Sequence, residues 1–174
     1  MNKTVSDSTP LILLAKIGRL DLLKTLFTNI YIPKAVYKEV VTQGITLHLP
    51  DAYIIEKATR AWIHITQITP EIDAEYSYLD TNTRLDEAEK QALKLCKQIT
   101  ATSFIADDKE ARKVAKMLSI KPVGTLGTVI RARKLGLITK RETEAIIDDL
   151  INSGLRIDIA LYKKILDVIE STDK

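Results

Sequence analysis

Apolar residues in this chain fall into two kinds of block, and the two take turns. Short runs bounded by turn residues read as strands: KTV near the start, NIYIP from Asn29 to Pro33, WIHIT from Trp62 to Thr66, TATSFIA and KPVG. WIHIT alternates apolar with polar, as a half-buried strand does. Longer stretches with apolar positions three and four apart read as helices. The first is LILLAKI after the turn SDSTP, with Pro10 in its first turn, where the missing N–H costs nothing. Others run from about Leu20 to Phe27, about Lys34 to Gln43 ending at Gly44, and Asp51 to Arg60. RLDEAEKQALKLCKQI and DDKEARKVAKMLSI carry the strongest helical period. Glu71 to Thr83 is polar and predicts a short helix and a loop. From Thr125 onward three helices follow, LGTVIRARKLGLI, KRETEAIIDDLINSG and DIALYKKILDVIE, divided by Gly136 and Gly154.

Strands alternating with helices predict an α/β fold: a mostly parallel sheet with helices on both faces. No repeat, low-complexity tract or linker divides the chain, so one domain is expected over 1–174, with a core to about 138 and added helices over about 139–170. The chain has 174 residues, 45% of them hydrophobic and 28% charged. That supports a full core and argues against disorder. The longest apolar stretches are broken by charge well before the ~20 residues of a membrane span. MNKTVSDSTP has no apolar signal region, so a cytoplasmic protein is expected. Cys96 is the only cysteine, which excludes an internal disulfide and a cysteine-based metal site; its helical setting predicts a buried thiol.

The net charge of +3 decides little, but the placement of acids is informative. Ligands of an open parallel sheet bind beyond the carboxyl ends of its strands. Asp7 follows the first strand, Asp107 and Asp108 follow SFIA, and Glu87 and Glu89 open the helix before that strand. Glu39 lies within a helix on the border of its apolar face. Taken singly, most have an ordinary explanation: Asp7 in an Asx-turn, Glu87 and Glu89 at a helix dipole, Asp107 or Asp108 as an N-cap. Glu39 has no capping explanation, although a salt bridge or plain exposure would account for it. Taken together, carboxylates converging on one sheet edge repel by up to ~4 kcal/mol per close pair at an effective dielectric near 20. A hard divalent cation, Mg²⁺ or Mn²⁺, relieves that repulsion and suits phosphodiester hydrolysis.

Other signals are weaker. Thr125 opens a helix after the last strand, where free N–H groups favour phosphate, although a capping threonine in a tight turn explains it equally. Lys109, Arg112, Lys113 and Lys116 share one helix face and would guide an RNA backbone or simply meet solvent. His48 and His64 lack the spacing of a zinc pair, and Trp62 reads as packing. An aspartyl-phosphate enzyme would place a second aspartate where this chain has Thr9, and no GxxxxGK phosphate loop exists.

Four segments carry a likeness: DSTPLILLAKIGRLDLL from Asp7, IPKAVYKEVV from Ile32, LDEAEKQAL with FIADDKEARKVA, and PVGTLGTVIRARKLGLI from Pro122. In order and wording they resemble the PIN-domain family, specifically the prokaryotic branch of nucleic-acid-binding proteins related to VapC-type toxin ribonucleases. The resemblance implies a three-layer α/β/α fold on a five-stranded, mostly parallel sheet. It further implies an acidic pocket for Mg²⁺ or Mn²⁺ and metal-dependent cleavage of single-stranded RNA. Carried onto this chain, the catalytic acids are Asp7, Glu39, Glu89 and Asp108, with Glu87 and Asp107 as alternative metal ligands. Apart from the resemblance, the helix-start position of Thr125 and the helical spacing of Lys109 and Arg112 make these three the candidate RNA contacts. The same resemblance implies a homodimer and a small antitoxin partner; a catalytically inactive binding module is the alternative from another class.

Overall fold

The computed structural model describes residues 3–171. β1 (Lys3–Ser6) leads into α1 (Ser8–Lys16) and α2 (Asp21–Leu26), then β2 (Asn29–Pro33). A long helical stretch follows as α3 (Lys34–Tyr37), a π-helical segment (Lys38–Gln43) and α4 (Gly44–Thr46). Next come α5 (Pro50–Thr59), β3 (Ile63–Thr66), α6 (Pro70–Glu75), α7 (Tyr78–Asn82) and α8 (Glu87–Gln98). β4 (Ser103–Ile105), α9 (Lys109–Met117), β5 (Lys121–Val123), α10 (Thr125–Lys134), α11 (Lys140–Asn152) and α12 (Ile159–Ser171) complete the order.

Among the described residues the sheet has five strands, all parallel, in the order β3-β2-β1-β4-β5. The chain therefore builds outward from β1 on one side through β2 and β3, then returns across β1 to add β4 and β5. That reversal opens a crevice at the carboxyl ends of β1 and β4, the place where doubly wound sheets bind ligands. Helices cover both faces, as the fully buried Val5, Ile30, Ile32, Phe104 and Ile105 require. Ala111, Val114 and Ala115 face inward on α9 while Lys109, Lys113 and Lys116 face solvent, so its period is that of a surface helix. Ile146, Ile147, Leu150, Ile165 and Ile169 carry the same core into α11 and α12. Cys96 is buried in it, and burial pushes its thiol far above the usual range. No helix among the described residues is long and apolar enough to cross a membrane.

Most of the expected elements form where the pattern places them. Gly136 and Gly154 take the left-handed conformation after α10 and α11, where Leu137 and Leu155 close back on Ala132 and Leu150. Two places differ. The polar stretch before α8 holds two short helices, α6 and α7, rather than one helix and a loop. Lys94 fastens both to α8. Its side chain is only 3% exposed, and its Nζ donates to Asp73 at 2.7 Å and to Asp80 at 2.9 Å. Burial alone would lower the lysine pKa, but the two carboxylates outweigh it and keep the charge.

The second difference is at Gly44, which does not end its helix. Its backbone is right-handed helical, and the left-handed residue is His48, four positions later. Glycine is needed there for space: a Cβ on Gly44 would stand 2.6 Å from the Cβ of Ala52 on α5. Gly44→Ala gains roughly 1 kcal/mol of helix propensity but overpacks this contact at a typical cost of about 1–3 kcal/mol. A net fall in the urea midpoint, with unchanged m, is expected from equilibrium unfolding; an unchanged or higher midpoint would show that α5 yields freely.

A candidate acidic active site

Asp7 stands at the reversal of the sheet. Its N–H donates to the carbonyl of Ile105 at 2.8 Å, so the β1–β4 ladder continues one step and holds Asp7 against the end of β4. It occupies the N-cap position of α1, yet its side chain makes no capping hydrogen bond. The Asx-turn reading therefore leaves its burial unexplained: the residue is 4% exposed. Beside it the Ser8 hydroxyl donates to Glu39 Oε2 at 2.7 Å. Glu39 belongs to the π-helical segment, and such wide turns recur at functional sites. The Ser8 bond ties that segment to the residue next to Asp7.

The start of α8 is organised by a capping box. Asp86 Oδ1 accepts from the Glu89 N–H at 2.9 Å, and Glu89 Oε2 accepts from the Asp86 N–H at 2.9 Å. Glu87 is exposed and accepts from Gln91 Nε2 at 2.7 Å. It borders a cleft of about 330 Å³ lined by Ala35, Lys38, Glu39, Gln43, Asp86, Glu87 and Ala88.

After β4 the two aspartates separate in role. Asp108 caps α9, its Oδ1 accepting from the N–H groups of Glu110 and Ala111 at 2.8 and 2.9 Å. Asp107 caps α10 from outside: its Oδ1 accepts from the Thr125 N–H at 2.8 Å and its Oδ2 from the Thr125 hydroxyl at 2.5 Å. Thr125 is fully buried, so neither group is left for a phosphate. Lys109 is exposed at the start of α9, whereas Arg112 is half-buried.

Electrostatics shows which acids share a field. Burial is the largest cause pushing Asp7 up to about 7; the Ser8 amide opposes it, and Glu89, Asp86 and Glu39 add to it. Burial likewise leads in raising Glu89 to about 7, against the Asp86 backbone and together with Asp86, Asp108 and Glu39. Asp7 and Glu89 thus share the field of Asp86 and Glu39, Asp108 adds to it at Glu89, and among the described residues none of these five acids forms an ion pair with a base. All these donors are hard oxygens, which suits Mg²⁺ or Mn²⁺. Among the described residues, however, no three His, Cys, Asp or Glu side chains lie close enough to hold an ion as they stand. The donor chemistry fits a divalent cation, and side-chain movement is needed to close the set.

Sequence reasoning missed Ser8, Asp86, Lys38 and Gln43. The Asp86-x-x-Glu89 spacing of a capping box was the readable signal for one of them. No local pattern announces a serine hydroxyl bonded to a glutamate thirty-one residues on.

The raised pKa of Asp7 carries a stability consequence. Between the ordinary 3.8 and about 7, the folded state keeps a proton that the unfolded chain releases. Stability from this group is therefore greatest at acid pH, falls as pH rises toward 7 and is level above. In EDTA, the stability of Asp7→Asn relative to the unaltered protein should climb across that window and reach a few kcal/mol by pH 8, the upper bound being about 1.4 kcal/mol per unit. Urea unfolding over the pH range measures it, and a pH-independent difference would contradict the assignment.

No curated protein matches the chain. The family described as PIN domain matches residues 3–171. Such extent, on an all-parallel sheet with acids at its switch point, shows that the chain belongs to the PIN domain family, whose members are typically nucleases.

Proposed function

We propose that this protein is a divalent-metal-dependent endoribonuclease that hydrolyses phosphodiester bonds in single-stranded RNA, in the manner of a VapC-type toxin. PIN domains generally use divalent metal ions. The observation that carries the reading is Asp7: a buried acid at the crevice of the sheet, with three other carboxylates in its field and, among the described residues, no base paired to it. A buried acid among like charges is costly to a fold unless a cation binds there in use.

Asp7, Glu39, Glu89 and Asp108 would hold Mg²⁺ or Mn²⁺, which supplies charge for the scissile phosphate and its leaving oxygen. Ser8 holds its proton on Glu39 Oε2, which fixes that carboxylate beside Asp7. Helix capping fixes Asp108 in the same way. Water is the nucleophile, and no side chain need form a covalent intermediate. Under this reading the protein works in the cytoplasm, forms a homodimer and is held in check by a small antitoxin.

One observation favours a second reading. Glu89 and Asp108 already accept backbone hydrogen bonds, and no three acids close on one point. A member that keeps the pocket but only binds nucleic acid or protein would look the same. Turnover separates the two. Labelled single-stranded RNA should be cleaved with Mn²⁺ and left intact with EDTA, and Asp7→Asn should lower the rate by at least a hundredfold while remaining folded. Cleavage that persists in Asp7→Asn rejects the site; no cleavage by the unaltered protein with Mg²⁺ or Mn²⁺ on any single-stranded RNA favours the binding module.

A further inference from the structure

Arg112 differs from the other bases of α9. Lys109, Lys113 and Lys116 are exposed, whereas Arg112 is half-buried against the start of α10. A Cβ built on Gly124 would meet Arg112 Nη1 at 2.6 Å and Asp107 Oδ1 at 3.0 Å. The guanidinium therefore occupies space that any side chain at position 124 would need. It sits beside Asp107 without an ion pair, and among the described residues it makes no hydrogen bond or ion pair at all. A guanidinium presents five N–H donors in a planar fork that matches two phosphate oxygens. Asp108, the next residue after Asp107, acts on Glu89 in the acidic site, so these unclaimed donors stand beside a residue that adjoins that site in the chain.

We propose that Arg112, seated over Gly124, binds one backbone phosphate of a single-stranded polynucleotide at the rim of the acidic site. This rests on the nuclease reading and assigns the substrate a point of grip there. A negative phosphate and a nearby carboxylate cluster repel, so a cation set apart from the acids gives the strand a point of attraction without neutralising the acids themselves. Freely solvated lysines on the same helix give a diffuse field and no such register.

The test measures binding of a short fluorescein-labelled oligouridylate to Asp7→Asn protein in Mg²⁺, over a range of salt. Arg112→Gln should weaken binding on the order of tenfold, as loss of one charge-assisted contact does. It should also lower the salt slope by about 0.7, the value for one phosphate on a single strand. Gly124→Ala keeps every charge but displaces the guanidinium, whose end is flexible, and should weaken binding comparably. Lys113→Gln should change affinity less than twofold.

A neutral Gly124→Ala, an Arg112→Gln no worse than Lys113→Gln, or no saturable binding to begin with, would overturn the proposal. Cleavage by the otherwise unaltered chain is followed in parallel. Cleavage that is indifferent to Arg112→Gln removes the phosphate site and leaves the nuclease. Binding that depends on Arg112, without cleavage by the unaltered chain, removes the nuclease and leaves the phosphate site.

Discussion

A carboxylate withdrawn from water and set among other carboxylates is the constraint on which this structure turns. Asp7 follows the central strand, and the sheet reverses direction beside it, so the residue cannot leave the crevice without breaking its tie to β4. Two forces then oppose its charge. Repulsion between acids was the reason to expect a cation from sequence, yet in the fold the loss of water is the largest single cause for both Asp7 and Glu89, ahead of any one neighbouring acid. Among the described residues no three of these acids lie close enough for ligation. Desolvation persists while Asp7 remains enclosed.

Around that residue each partner is held by a local bond that looks structural on its own. Glu39 takes the Ser8 proton, Glu89 closes a capping box with Asp86, and Asp108 caps α9. Capping and ligation are compatible for Asp108 because both capping bonds fall on Oδ1. For Glu89 the capping bond and the proposed ligand role would share one carboxylate, of which Oε2 alone is engaged by the backbone. Asp107 is different: both its oxygens serve Thr125, which fastens the end of β4 to the start of α10. Its neighbour Arg112, by contrast, is left with donors to offer. In this way the same short segment after β4 carries the acid and the cation proposed for the site together with a fastening between layers.

How much of this was legible depended on the range of the interaction. The strands and amphipathic helices were readable because burial imposes periods of two and 3.6 on neighbouring residues, as in α8 and α9. The acidic crevice was readable as a set of residues, since strand ends are predictable and parallel sheets bind at their carboxyl ends. Gly44 was misread because a glycine kept for close packing against Ala52 has the same letter as one kept for a left-handed cap. The π-helical segment left no mark in the apolar pattern. Nor did the Asp107–Thr125 pair, whose partners lie eighteen residues apart, or the 4% exposure of Asp7, which depends on the whole fold. Family likeness named the acids; only packing distinguishes the buried one from those that double as helix caps.

Direct titration of the Asp7 carboxyl carbon by NMR, in protein freed of divalent ions, bears on the account at its base. A midpoint of about 7 is expected, since burial and the neighbouring acids both disfavour its charge. A midpoint near the ordinary ~3.9 would mean that water reaches Asp7 freely and that the crevice does not create the demand for a cation on which the nuclease reading stands.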